Sequence, residues 1–309
     1  MASINGVARS VILAAAQNRA TESFMNRYAM RLGASRFVAG ENLDQCVEVI
    51  RGLNRQGLKC NATELGEAVK NPADATAAVA NCEVALQRLK AEQLNANVAI
   101  KLTLMGLDIE EGMAEENLAR LLDAARGLGM TMRIDMEEST HVDATLRIYR
   151  KLRERGHDNV GAVLQSYLYR TQADLETLLP LQPNLRLVKG AYLESKAVAY
   201  ASKAEVDRNY LALMEKSLLG GGYTAIATHD ERMIDHAINF TGRHQVGRDR
   251  FEFQMLYGVR TQLQLSLVQR GYQVLVATSY GPHWYPFFMR RLAERPANVL
   301  FLARNMVRR

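Results

Sequence analysis

Val160-Gly161-Ala162-Val163-Leu164-Gln165, followed by Leu185-Arg186-Leu187-Val188-Lys189, is the stretch that decides the fold. Each run is short, apolar and β-prone, and each closes on a polar or charged residue. The chain between them is long enough for one helix and two loops, so the two runs read as neighbouring parallel strands joined by a crossover. Working outward, the same reading applies to Leu58–Thr63, Asn97–Leu102 and Met130–Asp135 on one side, and to Tyr223–Thr228, Phe251–Leu256 and Tyr272–Thr278 on the other. Eight such runs, starting about 20 to 40 residues apart, predict a (βα)8 barrel of the TIM type without a remainder. A doubly wound open sheet is the rival. It normally carries G-x-G-x-x-G after its first strand, whereas Gly127-Leu128-Gly129 precedes a strand and lacks the third glycine.

At 309 residues the chain has a common size for one such barrel. Ahead of it, residues 3–31 and 42–54 read as helices, the second entered at Glu41-Asn42 and left at Gly52. The expected division is a helical segment over 1–57 packed on a barrel over 58–309, with a final helix over the barrel mouth. A hydrophobic share of 48% and a charged share of 23% argue against disorder. The apolar run Val11–Ala16 is far shorter than the roughly 20 residues of a membrane span, so neither a span nor a signal peptide is expected. Three cysteines, Cys46, Cys60 and Cys82, without a C-x-x-C pair fit a reducing cytoplasm and no structural zinc. The net charge of +6, with Arg304, Arg308 and Arg309 at the end, reads as a solvated surface, or more sharply as a weak pull toward an anionic membrane face. Aromatics interleaved with the basic residues, which would suggest nucleic acid, are absent.

Barrel active sites lie at the C-terminal strand ends. There the sequence sets Lys101, Asp135, Gln165, Lys189 and Thr228-His229. Any one of these can simply mark the chain leaving the core. Together they converge on one rim and call for a ligand with acceptors and negative charge. Arg290-Arg291, with Glu294 placed to pair with one of them, reads either as two solvated side chains or as a bidentate clamp for a carboxylate. The remaining histidines, His141, His157, His236, His244 and His283, show no metal-ligand spacing, so no metal is expected. Glu137-Glu138, adjacent after a strand, is read as supporting the rim and not as an acid–base pair.

At these same strand ends the chain resembles the proline dehydrogenase family. The resemblance runs from about Phe37 to the C-terminus through Ile100-Lys101-Leu102-Thr103, Arg133-Ile134-Asp135-Met136-Glu137, Leu164-Gln165-Ser166-Tyr167-Leu168-Tyr169-Arg170, Leu185-Arg186-Leu187-Val188-Lys189-Gly190-Ala191-Tyr192, Ala227-Thr228-His229-Asp230, Phe253-Gln254-Met255-Leu256-Tyr257-Gly258 and Arg290-Arg291-Leu292-Ala293-Glu294. It implies a distorted (βα)8 barrel that binds FAD, oxidises L-proline to 1-pyrroline-5-carboxylate and passes electrons to a membrane quinone. Carried over by residue, Met136, Gln165, Arg186, Lys189, Gly190, Ala191, Thr228 and His229 hold the flavin. Lys101, Arg290 and Arg291 hold the substrate carboxylate, and Tyr192 and Leu256 line the pocket. Arg186 is suited to stabilise reduced flavin, and Asp135 to position Arg186.

Two positions depart from the family pattern: Ala277 stands where a tyrosine packs on the substrate ring, and Thr63 where an aspartate is usual. The smaller Ala277 predicts room for a substituted proline such as 4-hydroxyproline or an N-substituted proline, unless Tyr280 fills the gap. Two other readings compete. A lysine closing a barrel strand, Lys189 or Lys101, is the position of a Schiff-base aldolase nucleophile. A decayed barrel that binds without catalysing is the third.

Overall fold

The computed structural model describes residues 34–66, 68–285 and 287–289. Eight parallel strands close into a barrel in sequence order, each bonded to the next and β8 back to β1. They are β1 (Lys59–Glu64), β2 (Ala96–Ile100), β3 (Met132–Ile134), β4 (Val160–Gln165), β5 (Asn184–Val188), β6 (Tyr223–Ala227), β7 (Phe251–Leu256) and β8 (Val274–Tyr280). The helices are α1 (Leu43–Asn54), ahead of the barrel, then α2 (Pro72–Ala91), α3 (Glu111–Gly127), α4 (Val142–Glu154), α5 (Thr171–Leu178), α6 (Lys203–Leu219), α7 (Glu231–Arg243) and α8 (Thr261–Gln269) between successive strands. The closed ring removes the open-sheet rival. The predicted helix over 3–31 lies outside the described residues, as do Arg290, Arg291 and Glu294 of the predicted helix over the mouth, of which residues 285 and 287–289 are described and helical.

All eight strands fall where the sequence put them, β4 and β7 with the same bounds and the other six with shifted ends. β8 runs two residues later than predicted because six register pairs with β1, from Lys59↔Leu275 to Glu64↔Tyr280, draw Ser279 and Tyr280 into the sheet. Tyr272 instead donates to Leu267 O and closes the end of α8. β2 ends at Ile100, since Lys101 O and Leu102 O accept from Leu104 N and Met105 N in a turn. α1 is capped by Asn42, whose side chain accepts from Gln45 N, and it continues past Gly52 to Asn54. Cys46, Val47 and Ile50 bury its apolar face on the outside of β1 and β8, so a helix that precedes the barrel covers the seam where the barrel closes. A separate apolar cluster joins Ala34, Phe37 and Val38 to Leu65, Trp284, Tyr285, Phe288 and Met289 at the end of that seam. Among the described residues no helix is long and apolar enough to cross a membrane.

Candidate active site

Strand side chains alternate between the helices and the barrel interior. Cys46 on α1 bonds the Thr278 side chain, which marks the even-numbered residues of β8 as outward-facing. Ala277 therefore faces inward, paired with Asn61 on one side and Leu256 on the other. The same alternation directs Asp135, Gln165, Arg186 and Gln254 into the barrel. Two arginines and several amides lie inside a barrel more often filled with aliphatic side chains. Small residues make the room: a Cβ on Gly161 would stand 2.9 Å from Arg133 Nη1.

Arg186 is the centre of the upper layer and is 8% exposed. Its Nη1 donates to Asp135 at 2.6 Å and its Nε to Gln254 Oε1 at 2.5 Å. Its Nη2 is buried with no hydrogen-bond partner among the described residues. On the adjacent strand Gln165 spends its Nε2 on Glu137 O, and its Oε1 is likewise buried and unpartnered. A buried donor and a buried acceptor left open at neighbouring strand ends suit a ligand that presents both kinds of group. A flavin ring, with acceptor nitrogens and oxygens and one N–H, meets that condition.

Around this pair the other predicted residues assemble on the same rim. Lys101 is buried just past β2. Glu137 clamps that turn, accepting from Thr103 N and Thr103 Oγ1, and burial pushes its carboxyl up despite those bonds and the Lys101 charge. Its neighbour Glu138 faces His141, so the two carboxylates diverge as the sequence suggested. Met136 is buried in the main core. His229 Nε2 accepts from Leu256 N at 2.9 Å, which fixes the tautomer protonated on Nδ1. Thr228 Oγ1 accepts from Asp230 N and opens the turn into α7. Tyr192 is half-buried and Ala191 exposed in the loop after β5.

Three placements differ from the sequence reading. Lys189 is not a free cation for a cofactor: it donates to Asp207 at 2.7 Å and stands 3.6 Å from Asp230. Gly190, which the resemblance sets among the residues that hold the flavin, has φ +114° and answers first to a protein side chain, because a Cβ there would meet the Tyr167 ring at 2.3 Å. Tyr280 does not fill the space beside Ala277. It is on the outward face of β8, in the main core with Glu64, Cys46 and Cys82 as its charged or titratable neighbours. Burial pushes its hydroxyl pKa well up. Ala277 stays half-exposed, and the second departure, Thr63, stands beside it: Asn61 pairs with Ala277 and donates its Nδ2 to Thr63 Oγ1 at 3.3 Å. Asn61 Oδ1 is buried without a partner among the described residues.

Sequence reasoning passed over Gln254, Glu252, Asp207 and Asp230. Gln254 was within reach, since it stands two residues before the pocket residue Leu256 and so shares its face. At the opposite end of the barrel a polar cavity of about 680 Å³ is lined by Lys59, Asn97, Arg133, Tyr223 and Glu252 among others. Burial presses the Arg133 guanidinium down from its usual value to about 10. No group of three or more metal-ligating side chains occurs among the described residues.

Known proteins place this geometry. The profile of the proline dehydrogenase family matches residues 46–304. The chain is 40% identical over 301 residues to proline dehydrogenase 1 of Bacillus subtilis, covering 97% of this chain and 99% of that one. It is 40% identical over 309 residues to the proline dehydrogenase of Deinococcus radiodurans, covering 99% of each. Among solved structures, proline utilization A from Bdellovibrio bacteriovorus, inactivated by N-propargylglycine, superposes with a TM-score of 0.79 at 20% identity, over 92% of this chain and 38% of that one. That last likeness is one of fold.

Proposed function

Because the chain belongs to the proline dehydrogenase family, and is thereby an oxidoreductase acting on the CH–NH group of donors, we propose that it oxidises L-proline to 1-pyrroline-5-carboxylate with FAD as hydride acceptor and a quinone downstream. The observation that carries the reading is Arg186, held at two edges by Asp135 and Gln254 with the third edge buried and open. When bound, the flavin supplies the electrophilic nitrogen that takes the hydride. Arg186 and Gln165 offer a donor and an acceptor to its ring, Met136, Thr228, His229, Gly190 and Ala191 surround it, and Lys189 adds charge through its ion-paired cluster. Asp135 positions Arg186. Lys101, with Arg290 and Arg291 as the resemblance assigns them, binds the substrate carboxylate, and positive charge at that carboxylate also favours the neutral amine that hydride loss requires. Tyr192 and Leu256 exclude water from the ring.

A second substrate reading has its own observation. Ala277, Thr63 and Asn61 form one small-residue, hydrogen-bonding wall, and Tyr280 faces away from it. A substituent on the ring, as in 4-hydroxyproline or an N-substituted proline, fits there. A Schiff-base aldolase at Lys189 is disfavoured, since its amine is engaged by Asp207 at 2.7 Å and Asp230 at 3.6 Å and is not free to meet a carbonyl. The net charge of +6 supports peripheral contact with the inner face of a membrane, where a quinone resides, and the three free cysteines support a cytoplasmic location.

The visible spectrum of the purified protein, followed anaerobically during addition of L-proline, 4-hydroxyproline and N-methylproline, tests the assignment. The expected result is a flavin band bleached by L-proline. Faster bleaching by a substituted proline makes the second reading the right one. A colourless protein that will not take up FAD ends both.

A further inference from the structure

The Arg186 guanidinium is reached from below by an unbroken file of hydrogen bonds. Gln254 Oε1 accepts from Arg186 Nε at 2.5 Å, and Gln254 Nε2 donates to Glu252 Oε1 at 2.6 Å. Glu252 and Gln254 are two residues apart on β7 and share its inward face. Glu252 is 4% exposed and lines the cavity at the far end of the barrel, where Tyr223 hydrogen-bonds to it and Lys59 Nζ lies 3.9 Å from its Oε2.

The chemistry of this file is directional. A primary amide has a donor end and an acceptor end of nearly the same shape, and only the acceptor end can meet an arginine N–H. Arg186 Nε–H draws the oxygen of Gln254 from above, which leaves the donor end of the amide to be held from below. A carboxylate beside Lys59 offers only acceptors, so it holds the donor end of Gln254 downward and turns the oxygen up to Arg186. With Nε taken by Gln254 and Nη1 by Asp135, rotation of the guanidinium plane is stopped, and Nη2 is the edge left open.

We propose that Glu252 is a positioning residue: from the floor of the barrel it sets the amide of Gln254, and through it the edge that Arg186 presents to the reaction. The catalytic half of this rests on the reading of Arg186 as the cation that faces the flavin.

Glu252→Gln keeps the volume but replaces a charged acceptor beneath Gln254 with a neutral amide that can also donate, so Gln254 is held less firmly under Arg186. In protein carrying isotope-labelled arginine, the Arg186 Nε–H resonance is identified by its loss in Arg186→Lys. The Glu252→Gln variant is expected to shift or split it. The same variant is expected to lower kcat for proline at least about tenfold while KM changes less than about threefold, as for a group that acts on the transition state and not on substrate binding. Gln254→Met, uncharged and close in size, is expected to do both as well, and it keeps the test decisive if Glu252→Gln does not fold. An unmoved Arg186 resonance in a folded variant overturns the proposal. A moved resonance with unchanged kcat overturns its catalytic half. If the wild-type protein neither holds flavin nor oxidises proline, the functional reading falls instead, and the resonance alone decides whether the lock exists.

Discussion

Gly190 shows how one residue can be needed for a reason other than the obvious one. It sits on the functional rim, yet its φ of +114° and the Tyr167 ring against its missing Cβ explain it without any ligand. Gly190→Ala is expected to lose roughly 1–3 kcal/mol of unfolding free energy by denaturant titration. Adding Tyr167→Ala is expected to return the steric part and not the backbone part; full recovery would show that φ is unstrained. The cysteines make a second case at this scale. Burial pushes the Cys46 and Cys82 thiols up to about 12 and Cys60 higher still, so almost no thiolate exists at neutral pH. All three are expected to stay unreactive toward an aromatic disulfide in the native protein and to react once it is unfolded. Prompt titration of any one in the folded state would contradict its burial.

At the scale of elements, the β5–α6 connection is held by charge. Burial alone pushes the Asp207 carboxyl up, but hydrogen bonds from Lys189 and Lys203, with their charges, more than reverse this and hold it below the usual range. A depressed carboxyl contributes stability that is present above its unfolded value of about 4 and is lost as pH falls through the lower folded value. Asp207→Asn is therefore expected to cost about 1 kcal/mol at neutral pH, after discounting for solvent screening, and progressively less below about pH 4. Thermal midpoints of both proteins from pH 3 to pH 8 check this. A deficit that does not change with pH would mean that packing, and not charge, is at stake. This cluster was not legible in the sequence because Asp207 comes from the first turns of α6, 18 residues along the chain from Lys189. Strand ends were blurred for a related reason. Apolar runs show where a strand can form, whereas register with a distant partner decides where it stops, as β8 does at Tyr280 and not at Thr278.

For the whole molecule, the barrel was legible because its signal repeats: eight apolar runs, five of them closed by a polar residue on the functional rim, leave few alternatives. The rim residues came with it, since strand ends name themselves. The polar interior did not. Gln254 and Glu252 lie inside a strand, where periodicity marks a face without saying whether that face meets lipid-like side chains or an arginine. The resemblance supplied Ala277 and Thr63 as two separate departures; only the pairing of β1 with β8 makes them neighbours on one wall.

That pairing also has a consequence in time. Thr278 Oγ1 donates to Asn61 O across 217 residues of chain. A growing chain exposes β1 at one edge and its newest strand at the other until β8 has been made. At about 5–20 residues per second, the first strand waits roughly ten to forty seconds for the last. During synthesis the nascent protein is an open sheet with two sticky edges, and it becomes a barrel only near the end.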